Sequence, residues 1–145
     1  MPTRDQILSK ASDLIDAAKP ETAVEILEEY LAKAPADAEA LAMIGVAHYN
    51  NSEPREAEKY FKQSLAIIPD QDEIKRLLLR LLMDRHAWEE ALEIATELKR
   101  DNPSDAVLRV MYESCFENVE RPEVGWERDE SLGWHRIEFT EGGPK

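Results

Sequence analysis

Apolar residues return every three or four positions along most of this chain, and short polar or proline-bearing stretches interrupt them at regular intervals. That period lays one apolar stripe along an α-helix. Thr3 followed by Gln6 predicts a capping box, which satisfies backbone donors that a helix start leaves open, so a first helix is expected over about 4–17. Lys19, Pro20 and Glu21 break it, and Pro20 suits the first turn of a second helix over about 21–33, with Val24, Leu27 and Leu31 on one face beside Ile26 and Tyr30. Asp37 is the expected cap of a third helix reaching about Asn50. The turn Asn51 to Pro54 leads into a fourth, which ends before Pro69. Asp70 is expected to open a fifth helix, ending near Arg85, and a sixth spans about 87–100. After Asn102 and Pro103, with Ser104 as the expected cap, Leu108, Met111, Tyr112 and Cys115 fall at i, i+3, i+4 and i+7 of a seventh.

These helices come in pairs that repeat. Alanine stands at Ala23, Ala57 and Ala91 and proline at Pro35, Pro69 and Pro103, both sets spaced 34 residues apart. The middle unit has Leu41 at its first large apolar site, then Ile44 with Gly45, Tyr49, Ala57, Phe61 and Pro69. On these residues 4–105 resemble the tetratricopeptide repeat family, whose unit is a pair of helices with this period. The repeats fall at about 4–37, 38–71 and 72–105. The resemblance implies an all-α fold: a short right-handed solenoid of three helix pairs plus a C-terminal capping helix over about 104–118. Small residues at Ala11 and Gly45 let paired helices approach, whereas Leu79 takes that place in the third repeat and implies a splayed or repacked pair. Residues 1–118 then form the repeat domain and 119–145 an acidic, aromatic-containing tail, irregular or with a short strand.

Charge narrows the partners. Thirty-one acidic against eighteen basic residues give a net charge of −13, with no compensating lysine-arginine run, so phosphate backbones and anionic membranes are repelled. The longest leucine run, Leu77 to Leu79, is too short to cross a bilayer. The start carries no secretory pattern, and the single cysteine, Cys115, forms no intrachain disulfide, so a cytoplasmic location is expected.

Candidate chemistry is sparse. His48, His86 and His135 lie in different units without the spacing of a metal site or a catalytic set, and no glycine-rich phosphate loop is present. No cofactor, metal or catalytic residue is expected. The resemblance implies instead that the first helix of each pair lines a concave groove. Its positions here give an apolar bed from Leu8, Ile15, Ala42, Val46, Tyr49, Met83 and Val110, accompanied by Asp5, Ser12, Glu39, Glu73 and Ser114, with Arg76 and Arg80 as a basic anchor for a carboxylate. The clamp by which some family members grip chaperone tails would fall at Leu8, Ser12, Met43, Glu73 and Leu77, and none of them matches it.

The expected function is therefore non-catalytic: a protein-interaction scaffold that holds a partner peptide, or its own tail, in the groove. A small secretion-type chaperone is the alternative, and an enzyme or enzyme subunit using tail residue His135 the remote one. Trp126, Trp134, Ile137 and Phe139 are the tail's candidate anchors, which makes self-association through the tail a further expectation.

Overall fold

The computed structural model describes residues 2–124, 126–129, 133–136, 139–140 and 143–144, and from residue 120 onward the backbone only. Seven helices follow one another: α1 (Arg4–Asp16), α2 (Pro20–Leu31), α3 (Ala38–Asn50), α4 (Pro54–Ile67), α5 (Asp72–Asp84), α6 (Trp88–Asp101) and α7 (Ala106–Val124). Two short antiparallel ladders come after them: β1 (Trp126–Asp129) with β2 (Gly133–Arg136), and β3 (Phe139–Thr140) with β4 (Gly143–Pro144). The solenoid is all-α, as the repeat resemblance implies.

The helix starts follow local chemistry. Thr3 and Gln6 form the full capping box at α1. The Asp37 carboxylate accepts the Ala40 amide at α3. Pro20 and Pro54 occupy the first turns of α2 and α4, where their missing amide hydrogen is not needed. The turns inside the three pairs share a backbone feature. Ala18, Ser52 and His86, again 34 apart, have φ of 59°, 59° and 62°. For residues with a Cβ this left-handed conformation costs about 1–2 kcal/mol each, and the following helix supplies the packing that offsets it.

Three boundaries differ from expectation. α5 opens at Asp72 rather than Asp70, because the Gln71 carbonyl takes the first helical bond, from the Lys75 amide at 3.0 Å. The cap of α7 is Asp105, not Ser104: its Oδ1 accepts the Val107 and Leu108 amides at 3.0 and 3.1 Å, and Ser104 lies one residue too early to reach them. α7 also continues past Asn118, through Pro122, to Val124.

The chain divides into two compact units, Met1–Leu81 and Leu82–Lys145. In the first, α1 packs on α2 and α3, and α3 packs on α2 and α4. The core of the first pair joins Leu8, Ala11, Ala23 and Leu27 to Ala40 and Ile44 of α3. α3 is apolar nearly all round and buries Ala38, Ala40, Leu41, Ala42, Ile44, Gly45 and Ala47, as a helix clasped on several sides must. Its closest approach is at Gly45: a Cβ built there would lie 2.5 Å from Phe61 Cδ1 and 2.6 Å from Cε1. The same two register positions hold Ala11 and Leu27 in the first repeat and Leu79 and Ala95 in the third, all fully buried. A large residue at one position thus goes with a small one at the other in each repeat. In the second unit α6 packs on α7, burying Ala91, Ala95, Leu98, Leu108 and Cys115.

Candidate groove on the first unit

Within the first unit, α1, α3 and the start of α5 enclose an open depression of about 770 Å³. Its floor is apolar, from Leu8, Ala42, Met43, Val46 and Ile74, and Ser9, Ser12 and Gln71 add hydroxyls and an amide. Four carboxylates, Asp5, Glu39, Asp72 and Glu73, stand along it, and Arg4 is the lone cation among the lining residues. The floor follows from helix geometry: positions 42, 43 and 46 share one side of α3, opposite the side that carries Ile44 and Gly45 into the core.

Arg4 is already engaged. Its Nε donates to Asp37 Oδ2 at 2.7 Å and its Nη2 to Glu39 Oε2 at 2.8 Å. The Tyr30 hydroxyl donates to the same Asp37 oxygen at 2.7 Å. Asp37, only 10% exposed at its side chain, is therefore held down to about pKa 2, first by the Arg4 guanidinium, then by the Tyr30 hydroxyl and the Ala40 amide. The partner effects are opposite: Asp37 raises the pKa of Arg4, and its hydrogen bond raises that of Tyr30. Arg4 thereby stays tied to the start of α3.

One repeat further along, a second latch occupies the same register. Tyr30 and Asp37 are replaced by Ser64 and Gln71. Ser64, fully buried, donates its hydroxyl to the Ala38 carbonyl at 2.7 Å, and Gln71 Nε2 donates to Ser64 Oγ at 3.0 Å and to the Ile68 carbonyl at 2.8 Å. These bonds fix where α5 begins, and so where Gln71 to Ile74 meet the groove. The sequence reading missed this pair, although the 34-residue offset from Tyr30 and Asp37 was available to reveal it.

Of the groove residues inferred from the resemblance, Leu8, Ala42 and Val46 line the depression, together with Asp5, Ser12, Glu39 and Glu73. Ile15 packs half-buried against the core of the first pair, and Tyr49 is half-buried with its ring tilted against Phe61 at 6.5 Å. Arg76 is half-buried and Arg80 exposed; neither is among the lining residues. Met83 and Val110 belong to the second unit, Met83 half-buried and Val110 63% exposed. Ile137 lies outside the described residues, as do the side chains of Trp126, Trp134, His135 and Phe139.

The other candidates have packing roles. His48 stacks on Tyr60 at 5.6 Å and its Nδ1 lies 3.4 Å from Glu53. Asn51, followed by His48, lowers the pKa of Glu53 through hydrogen bonds. Burial pushes the Cys115 thiol up to about 11, so it behaves as a small apolar side chain. Among the described residues no group of three or more His, Cys, Asp or Glu could hold a metal ion, and no helix is long and apolar enough to cross a membrane.

No curated protein sequence matches the chain. Solved structures do. MamA (residues 41 to the end) from Desulfovibrio magneticus RS-1 superposes with a TM-score of 0.70 at 19% identity, covering 79% of this chain, which spans 64% of that protein's length. The Yersinia enterocolitica type III secretion chaperone SycD, in complex with a peptide of the translocator YopD, gives 0.69 at 12% identity over 80% of this chain and 94% of its own. The second tetratricopeptide domain of human RPAP3, in complex with the HSP70 peptide SGPTIEEVD, gives 0.64 at 16% identity over 74% and 90%. These likenesses are of fold. Two tetratricopeptide repeat profiles match residues 8–73 and 50–111, covering the helix pairs described above, and the chain belongs to the tetratricopeptide repeat family.

Proposed function

We propose that this chain is a non-catalytic binding module that holds a segment of another protein in the groove of its first unit. The observation that carries the reading is the groove itself: about 770 Å³, open along its length, with an apolar floor and a polar rim. A concavity of that size and lining suits a few side chains of a peptide, because apolar burial supplies the affinity and rim groups fix the register. Two proteins of similar fold, SycD and RPAP3, are in complex with peptides, which supports the same use here. The chaperone reading is favoured by one observation, that SycD is matched over 94% of its length. The tail expectation is weakened by charge, since residues 119–145 carry seven acidic against four basic side chains and would face four carboxylates. We place this binding in the cytoplasm, where a lone buried cysteine is at home.

The test fills the groove without changing its charge. Ser12→Tyr with Val46→Tyr should abolish binding of peptides selected from a displayed random library by the intact chain, while circular dichroism and thermal midpoint stay close to wild type. Undiminished binding would remove the groove from the account.

A further inference from the structure

We infer that the occupant of this groove is a cationic, apolar-spaced segment of a partner protein, with lysine or arginine recurring at about every third residue; the inference rests on the groove being the binding site. Asp5, Glu39 and Glu73 occupy the same register position in three successive repeats, one carboxylate per inner helix, and all three line the depression. All three are exposed, the Asp5 side chain at 92%. Arg4, the lone lining cation, bonds Asp37 at 2.7 Å and also reaches Glu39 at 2.8 Å and Asp5 at 3.4 Å, so a single cation is shared among them and the four lining carboxylates keep the groove negative. Beneath the carboxylates lie Leu8, Ala42, Met43, Val46 and Ile74. A ligand that satisfies both layers presents apolar side chains downward and cations to the rim.

The spacing comes from helix packing. α1 and α3 are in contact, and axes of packed helices stand about 8–10 Å apart. An extended chain advances about 3.3 Å per residue, so cations three residues apart match carboxylates on neighbouring inner helices. An acidic peptide meets the opposite field. The clamp positions Leu8, Ser12, Met43 and Glu73 all line this groove, and none of them is basic.

The experiment selects peptides from a random displayed library on the intact chain and measures the winners by fluorescence anisotropy at low and high salt. Three proteins are compared: wild type, the neutral variant Asp5→Asn with Glu39→Gln and Glu73→Gln, and the groove-filled Ser12→Tyr with Val46→Tyr. The expected winners are enriched in lysine and arginine, bind about tenfold more weakly to the neutral variant, weaken with salt, and fail on the filled variant. Winners that are acidic or uncharged, lost on the filled variant but indifferent to the neutral one, would overturn the cationic assignment and leave the groove reading standing. No enrichment, or winners indifferent to the filled variant, would overturn both. A synthetic peptide of residues 119–145 that binds and is displaced only by the filled variant would make the chain's own tail the occupant and overturn the inference.

Discussion

On one side of α3, Ile44 and Gly45 are buried, and a Cβ at Gly45 would run into the Phe61 ring. On the other, Glu39, Met43 and Val46 look into an open groove. Thirteen residues thus serve two purposes. The packed side is governed by shape, with no room for a methyl group. The groove side is governed by charge and exposure, so its side chains can change while the helix stays in place. Substitution separates the two: on the packed side it registers as stability, on the groove side as binding.

The strongest way to break this contrast is Phe61→Ala. Phe61 is fully buried against the helix that forms the groove wall, and its loss should cost about 3–5 kcal/mol. Chemical denaturation reads this directly, and a cost below one kilocalorie would mean that the packed side is not close-packed. Next comes Gly45→Ala. Helix propensity alone favours alanine by about 1 kcal/mol. The contacts at 2.5 and 2.6 Å with a fully buried ring oppose it, and overpacking of this kind costs about 1–3 kcal/mol, so a net loss of stability is expected. Ala57→Leu, at another fully buried alanine, should act the same way.

Acid sharpens the contrast at the end of α3. Asp37 titrates near 2 when folded and at 3.8 as a free side chain. Its stabilisation is therefore complete above pH 4 and disappears as pH falls through 2. Because Arg4 is partly exposed, the loss is on the order of 1–2 kcal/mol rather than the full shift. Asp37→Asn should flatten the acid limb of a stability profile between those pH values; an unchanged limb would remove the Arg4–Asp37–Tyr30 cluster from the account. The smallest stability effect is expected on the groove side. Asp5→Asn, Glu39→Gln and Glu73→Gln together should move stability by less than about 0.5 kcal/mol each.

Much of the fold was legible in the sequence because its determinants are local. The Thr3–Gln6 box, the Asp37 cap and the prolines at 20 and 54 each act within one turn, and the 34-residue spacing of Ala23, Ala57 and Ala91 marks three fully buried sites. Leu79 stands out in the sequence as a departure from the small residues Ala11 and Gly45 at its register position, and it is fully buried all the same. The Ser64–Gln71 latch was not seen, since a serine and a glutamine carry no signal until folding buries one and aims the other at it. Ser104 and Asp105 are adjacent polar residues, and only the exact start of α7 decides which caps it. In the groove, Leu8, Ala42 and Val46 line the depression together with the acidic residues at 5, 39 and 73. Arg76 and Arg80, one turn apart in the sequence, read as an anchor for a carboxylate, but neither lines the depression.

The most direct measurement is a heteronuclear NMR titration of the intact chain with a library-selected peptide. The largest amide shifts are expected on the inner helices, around Ser12, Glu39, Val46 and Glu73, while amides around Ile44 and Phe61 hold still. A second hollow of about 510 Å³ lies beside α1 and α2, lined by Ile7, Lys10, Ile26 and Lys33 among others. Shifts concentrated there, with the groove residues unmoved, would contradict the account.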